Sequence, residues 1–291
     1  MRENNHETTV AMTVPAKPGH NLQLPLDFNT SVRASGAATS TTGAEIRTGP
    51  AGGDRRVYEL TRSRRKTLSI CVDSGRLLVR APLRASLRDI EIFIKEKSRW
   101  IDKQFVEDAR KQRETLKLAD GARFTALGKP YTLRILSTAQ PDARKRSEAR
   151  EANAELVITL GKSDNIAGHN QLERLFRNWL KVYTAAYLEN GSHRLADALG
   201  LRAQLNRISF RFTRTKWGHC TSSGDIQYNP GVALAPIDVV DYIIAHEVCH
   251  LRYRNHSQRF WQLVAQSCPQ WRDAEDWLKL YGHRANFSAA P

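Results

Sequence analysis

The sequence lacks the long apolar runs and the paired cysteines that characterise membrane proteins and disulfide-rich secreted proteins. None of its segments approaches the roughly 18 consecutive apolar residues that a membrane helix requires, and its start has no charged segment followed by a sustained apolar one. Its four cysteines are widely spaced and form no CxxC pair, which argues against a disulfide scaffold and against a cysteine zinc knuckle. We therefore expect a cytoplasmic protein with reduced thiols and no membrane partner.

Internal repeats are also absent, and the composition excludes a collagen-like or wholly disordered chain. Of the 291 residues, 41% are hydrophobic, which is enough for a folded core, and 26% are charged. The 45 Lys and Arg residues outnumber the 30 Asp and Glu residues, so the formal net charge is +15. Residues 1–53 are rich in Gly, Ala, Thr and Ser without a periodic apolar pattern, which predicts a disordered tail. A short C-terminal tail is expected at residues 286–291.

The first folded region, residues 54–165, is predicted to be rich in strands. Its β-forming residues alternate with basic ones around the turn residues Ser74 and Gly75, which predicts a hairpin. One long helix is expected after Pro82, with Ser86 as its N-cap. Three short strands are expected to follow.

The second folded region, residues 166–285, is predicted to be mainly helical. A long helix with an apolar stripe is expected from about residue 171 to residue 199. A strand, a hairpin and three further helices are expected after it. Since strands dominate the first region and helices the second, the predicted fold class is α+β.

The helix that Pro236 opens contains the motif HEVCH, which matches the pattern HExxH. On a helical wheel His250 lies about 40° and Glu247 about 100° from His246, in the same arc as the apolar residues of the helix. A buried carboxylate needs a positive or hydrogen-bonding partner, and a divalent cation held by the two histidines supplies one. The alternative is two hydrogen-bonded core histidines with a salt-bridged glutamate.

A third metal ligand is needed if a tetrahedral zinc site is to keep one position open for water. His256 lies six residues after His250, between Asn255 and Ser257. We expect Asn255 to form a left-handed cap and Ser257 to cap the next helix, so that the chain turns back toward the metal at His256. The alternative is a surface histidine at the start of a helix.

The string HEVCHLRYRNHSQRFW resembles the HExxH…NHSxxFW signature of the YgjP-like zinc metallopeptidases, which are relatives of the SprT and WLM families. The upstream string TKWGHCTSSGDIQYNPGVALAP resembles the strand hairpin of that family, and RSRRKTLSICVD resembles its N-terminal strand. The resemblance covers roughly residues 56–282. It implies a compact zincin-like helical domain with a small antiparallel sheet. In this sequence the motif carries the implied ligands of one zinc ion, His246, His250 and His256, and the implied catalytic base, Glu247.

The resemblance implies hydrolysis of a peptide or protein substrate by a metal-activated water. Two side chains are candidates for contacting the substrate or the transition state, Tyr253 and His219. His219 departs from the commonest family pattern, which has Ser between Gly and Cys. We expect the hairpin of residues 216–229 to offer an edge strand to the substrate. Trp217 could line this cleft, but we expect it to pack beneath the sheet.

Four aromatic residues are predicted to lie on the helices after the third histidine. Their spacing is typical of core residues, and we expect them to brace the corner that holds His256. They are Phe260, Trp261, Trp271 and Trp277.

The excess of positive charge leaves open a protease associated with nucleic acid, as in the SprT relatives, and two functions other than a peptidase. Basic clusters at residues 62–66 and 144–146 could contact the phosphates of nucleic acids or nucleotides. One alternative is therefore a metal-dependent nucleotide phosphohydrolase that uses the same site. The other is a nucleic-acid-binding protein with a structural metal, although a helical Glu between two ligands argues against a closed structural site.

Overall fold

The computed structural model describes residues 44–51, 54–137, 148–161, 165–213 and 215–289. Most of the predicted N-terminal tail, residues 1–43 and 52–53, therefore lies outside the described residues, as does the basic cluster at residues 144–146.

The first sheet has the strand order β1-β2-β4-β3. Strands β3 and β4 pair in antiparallel fashion around Ser74 and Gly75, both with positive φ, so the predicted hairpin is confirmed. The tail prediction was wrong for β1, because all seven of its residues pair with β2, although the strand contains Gly and Pro. The strands are β1 (Glu45–Ala51), β2 (Asp54–Ser63), β3 (Ser69–Asp73) and β4 (Arg76–Pro82).

Two helices pack against this sheet where one was predicted. Helix α1 (Leu87–Glu96) starts at the expected cap, since the Ser86 side chain accepts a hydrogen bond from the backbone of Asp89. The chain leaves helical geometry at Lys97, with φ −92° and ψ 6°, and α2 (Ser98–Glu114) follows. The break allows apolar residues of both helices to be buried in one cluster with the sheet. They are Ile90, Ile94 and Ile101.

A second sheet has the strand order β6-β7-β9-β8 and contains the three strands that were expected. Helix α3 (Asn165–Ala198) packs against it and begins before the predicted residue 171. A separate short strand, β5, precedes the sheet. The strands are β5 (Leu116–Leu118), β6 (Arg123–Ala126), β7 (Lys129–Ser137), β8 (Glu148–Ala152) and β9 (Glu155–Leu160).

The third sheet has the order β10-β12-β11, with the predicted antiparallel hairpin formed by β11 and β12 and with β10 parallel to β12. Strand β11 therefore lies at an edge of this sheet. Three helices follow it, as expected. The elements are β10 (Arg207–Phe210), β11 (Gly218–Cys220), β12 (Asp225–Tyr228), α4 (Ile237–Cys249), α5 (Gln258–Ser267) and α6 (Trp271–Tyr281).

The last described strand, β13 (Phe287–Ala289), pairs in parallel with β5. The prediction of a C-terminal tail was wrong for these three residues, because the Phe287 ring packs on Phe176 of α3 with 4.6 Å between centroids. Residues 290–291 lie outside the described residues.

The buried side chains form three hydrophobic clusters, and together with the sheets they confirm the α+β class. The largest surrounds α4 and includes residues from the C-terminal half of α3 and from α5 and α6. The N-terminal half of α3 belongs to the cluster of the second sheet, so one helix joins two clusters. The division into regions 54–165 and 166–285 stays a prediction. Within the described residues, no helix combines the length and the apolar character needed to cross a membrane.

Candidate metal centre

Helix α4, which carries the HExxH motif, is deeply buried. It begins directly after Pro236, as expected, and Asp238 lies in its first turn, where a negative charge is favourable. Residues 242–250 are all buried. Helix α3 approaches α4 closely at Gly191, since a Cβ at this glycine would lie only 2.8 Å from Ile244 Cδ1. This packing places the HExxH face of α4 inside the molecule.

Three histidines converge at this face. The Nε2 atom of His246 lies 3.2 Å from Nε2 of His250 and 3.1 Å from Nε2 of His256. One ligand atom from each of the three lies within 4.8 Å of the others. The third histidine, expected from the resemblance and not from its spacing alone, is therefore brought to the other two.

The corner that carries His256 differs from the predicted one. Helix α4 ends at Cys249 and the chain turns at once, with the backbone of Arg252 bonded to the Cys249 carbonyl. Asn255 does not have a positive φ, so the prediction of a left-handed cap was wrong. The turn directly after the helix already reverses the chain. Ser257 is the N-cap residue of α5, as expected, although its side chain makes no capping bond.

Hydrogen bonds at the outer nitrogens orient two of the imidazoles. The Nδ1 of His250 donates to the Tyr253 carbonyl over 2.9 Å, and the Tyr242 hydroxyl lies 3.3 Å from Nδ1 of His246. Both rings therefore present Nε2 to the centre of the cluster. Metal-binding histidines in proteins are usually held at their second nitrogen in this way.

Aromatic rings enclose the histidines from the side of α5. Phe260 stacks on His250 with centroids 4.5 Å apart, and Trp261 stacks on His256 at 5.6 Å. Trp271 in turn stacks on Trp261 at 4.4 Å. Phe260 and Trp271 are buried and Trp261 is half-buried. Phe260 and Trp261 touch the histidines directly, and Trp271 supports Trp261 from behind.

Glu247 is completely buried, and neither of its carboxylate oxygens has a hydrogen-bond partner among the described residues. Burial raises the pKa of this carboxyl well above its usual value, and the positive charge of Lys216 acts in the opposite direction. An unpartnered buried carboxyl is costly, and a nearby cation relieves that cost.

Gly218 of β11 lies directly against this carboxylate. A Cβ at position 218 would be 2.3 Å from Glu247 Oε1 and 2.6 Å from Cδ, so only glycine leaves room for the side chain. Sequence reasoning missed Gly218 as a site residue. The glycine itself is visible in the WGHC string. Its contact with Glu247 joins a strand to a helix, so the string alone does not reveal why a glycine is needed there.

The donor set suits a divalent cation of the zinc type. Burial lowers the pKa of His246 well below its usual value and that of His250 to about 4, so both rings are neutral near pH 7. A metal requires the lone pairs of such neutral rings. Three imidazole nitrogens beside an unpartnered carboxylate therefore fit a zinc ion with an open coordination position.

Three further candidates were predicted from the sequence, namely Trp217, His219 and Tyr253. Trp217 is only 5% exposed and packs on Gly231 and Gly282, so the expectation of packing is confirmed. His219 is half-buried on the edge strand, and its charge acts on the pKa of His250. Tyr253 bonds to His250 through its backbone carbonyl.

Arg254 was not singled out in the sequence, yet it joins the ligand loop to the hairpin. Its guanidinium donates to the carbonyl oxygens of Thr221 and Ser222, and the Ser222 contact is 2.9 Å long. It also lies 3.6 Å from the Cys220 sulfur. Nothing in the local string RYRNH indicates this contact, because the partners are more than 30 residues away.

Comparison with known proteins decides the family. A family model described as the YgjP-like metallopeptidase domain matches residues 66–281, which is more than half of the chain. The chain belongs to the YgjP-like metallopeptidase family. This confirms the resemblance, and it makes the protein a metallopeptidase, with a cluster of three histidines at the place where the motif lies.

Other comparisons add little to this assignment. Among solved structures, the crystal structure of the metallopeptidase zymogen of Pyrococcus abyssi abylysin is similar at 25% sequence identity, over 31% of this chain and 89% of that chain, with a TM-score of 0.28. No curated protein matches the chain. The assignment therefore rests on the family match.

Proposed function

We propose that this metallopeptidase is a zinc enzyme in which His246, His250 and His256 hold one zinc ion per chain and Glu247 is the general base. The observation that carries the proposal is the convergence of three Nε2 atoms beside a fully buried carboxylate without a partner. The ligands lie on α4 and on the loop that follows it, so the packed core fixes their relative positions.

When bound, zinc would polarise the scissile carbonyl and lower the pKa of a water molecule. Glu247 would accept the proton of the attacking water at a carboxylate oxygen and later deliver it to the leaving amine. Gly218 leaves this carboxylate free of steric overlap. The surrounding apolar cluster strengthens electrostatic interactions at the site by excluding bulk water.

The substrate is proposed to be a peptide or protein segment that adds to the outer edge of β11. This edge belongs to the strand that contacts Glu247, so an extended peptide paired there would pass beside the base. His219, half-buried on β11, is the better placed of the two candidates for contacting the transition state. In the part of the chain that the structure describes, Tyr253 forms a hydrogen bond through its backbone carbonyl and none through its hydroxyl.

Two observations weigh against the alternatives. A closed structural zinc site fills its fourth position with protein, and the ligand cluster within the described residues has three members. In the described basic cluster, Arg62 donates to the carbonyls of Pro82, Leu83 and Ala85, so it has a structural role that needs no phosphate. A peptidase explains the site with fewer assumptions than a phosphohydrolase or a nucleic-acid-binding protein.

The test is metal analysis of the purified protein combined with assays on an unfolded protein substrate and on nucleoside triphosphates. We expect about one zinc per chain and chelator-sensitive proteolysis without release of phosphate. Phosphate release without proteolysis would support the phosphohydrolase instead. Salt-sensitive binding of DNA that chelation does not affect would support the nucleic-acid-binding protein.

A further inference from the structure

Two cationic side chains lie at the ends of the edge strand β11. Lys216 comes two residues before Gly218, where the strand starts. Arg254 is bonded to the carbonyls of the turn that follows Cys220, where the strand ends. At about 3.3 Å per residue, the three residues of β11 span about 10 Å. A peptide paired with β11 would therefore have a positive charge near each end.

The backbone at Lys216 is held in place, while its ammonium group has no acidic partner among the described residues. The Lys216 carbonyl accepts hydrogen bonds from Thr213 Oγ1 at 2.6 Å and from Asn229 Nδ2 at 3.3 Å. Asn229 is itself buried and fixed by a bond to Gly231. Within the described residues, the half-buried Lys216 side chain forms no salt bridge.

Lys216 lies on the stretch of chain that contacts the proposed base. Gly218, two residues further on, lies directly against the Glu247 carboxylate. Burial lowers the pKa of His219, the next residue of β11, and the positive charge of Lys216 lowers it further.

The acidic residue of the same hairpin, Asp225, does not pair with Lys216. The Asp225 carboxylate accepts from Asn206 Nδ2 at 3.0 Å and from the Ser223 hydroxyl at 3.1 Å, and Arg207 lies 3.8 Å away. Asp225 is therefore occupied by its own neighbours. It is not available to pair with Lys216 at the start of β11.

We propose that the cleft along β11 selects peptide segments with an acidic side chain near the scissile bond, and that Lys216 is the specificity-determining residue that pairs with that carboxylate. The inference rests on the proposed peptidase function and specifies its substrate class. An Asp or Glu side chain of a peptide on β11 would form the salt bridge that Lys216 does not make with any of the described residues. A Lys or Arg at the same peptide position would be repelled.

Binding to the zinc-loaded Glu247→Gln variant separates recognition from cleavage. The probes are fluorescein-labelled ten-residue peptides that are identical except for one Glu, Gln or Lys, which is moved along the central six positions. Fluorescence anisotropy gives the dissociation constants. We expect the Glu peptide to bind about five- to tenfold more tightly than the Lys peptide at one position or at two adjacent positions, and 0.5 M NaCl to reduce the difference.

Charge reversal at Lys216 is the decisive variant. In the same background, Lys216→Glu should reverse the order of the Glu and Lys peptides, while Lys216→Arg should retain it. Lys103→Glu, on the exposed side of α2, changes the net charge equally and should leave the order unchanged. Lys216→Gln serves if the reversed charge prevents folding, and it should abolish the preference.

The outcomes distinguish the two proposals. Equal binding of Glu and Lys peptides, or a preference that survives Lys216→Glu, overturns the role of Lys216 while the wild-type enzyme still cleaves peptides. If the zinc-loaded wild-type enzyme neither binds nor cleaves any peptide of the series, the proposed site function fails and the specificity inference fails with it.

Discussion

Glu247 and Gly218 are in direct contact, although they lie 29 residues apart on a helix and on an edge strand. The missing side chain of Gly218 provides the space that the carboxylate occupies. The proposed base can therefore approach the proposed substrate-binding strand this closely only because residue 218 has no Cβ. The first prediction tests this contact.

Gly218→Ala should displace the Glu247 carboxylate, because the added Cβ would overlap it. We expect a loss of about a hundredfold in kcat/KM and a decrease of about 1–3 kcal/mol in the free energy of unfolding. Peptide hydrolysis and urea denaturation measure the two effects. Gly168→Ala is the matched control, since nothing lies within 4 Å of a Cβ at that helical position. Full activity in Gly218→Ala would contradict the contact.

Glu247→Gln should retain zinc and lose turnover, because the amide keeps the shape of the side chain but cannot accept the proton. General base catalysis contributes about a hundredfold to ten-thousandfold, and we expect kcat to fall within that range. Stopped assays and metal analysis on the same sample check the expectation. Glu96→Gln, at an exposed position of α1, is the control. A variant that keeps wild-type kcat would exclude Glu247 as the base.

Trp261→Ala should weaken zinc binding, because Trp261 stacks on His256 and is itself supported by Trp271. Residues that orient metal ligands commonly affect affinity tenfold to a hundredfold, and we expect the dissociation constant of zinc to rise by about tenfold. Competition with a chromogenic chelator measures it. Trp277→Ala removes an indole that stacks on none of the three histidines and should leave zinc affinity nearly unchanged. Equal affinities in both variants would contradict the bracing role.

The contact between α2 and the C-terminal segment should depend on pH. Hydrogen bonds from His283 and Arg284 lower the pKa of Glu114 from an ordinary value of 4.5 to about 2. Because the folded pKa is the lower one, this stabilisation is present above pH 4.5 and is lost as the pH falls toward 2. Thermal melts should show Glu114→Gln less stable than wild type at pH 6, with the difference shrinking toward pH 2. A constant difference over that range would contradict the assignment.

Local patterns in the sequence were sufficient for much of the fold. The turn residues Ser74 and Gly75, the cap at Ser86 and the helix after Pro236 each depend on neighbouring residues, and each is found where it was expected. Strand β13 could not be predicted, because its pairing partner β5 lies far away in the chain. Strand β1 pairs with the neighbouring β2, but its own string EIRTGPA contains Gly and Pro, which are depleted in strands. The break at Lys97 has no Gly or Pro beside it in the sequence that would have indicated it.

The candidate site also combines features that neighbouring residues determine with features that depend on distant contacts. The helical spacing of His246, Glu247 and His250 is local and was sufficient to predict a shared buried face. The position of His256 depends on a turn whose geometry was predicted wrongly, and only the resemblance indicated that it would reach the cluster. The contacts of Gly218 and Arg254 link separate segments, so no periodic pattern along the chain encodes them.

The pairing of β13 with β5 has a consequence for biosynthesis. Lys117 and Ser288, which are bonded at 3.0 Å across this pair, are 171 residues apart in the chain. During translation β5 is synthesised long before its partner exists, and Phe176 also precedes by more than 100 residues the ring of Phe287 on which it packs. Contacts between such distant segments form slowly. The core of the second sheet is therefore completed only after residue 287 has been synthesised.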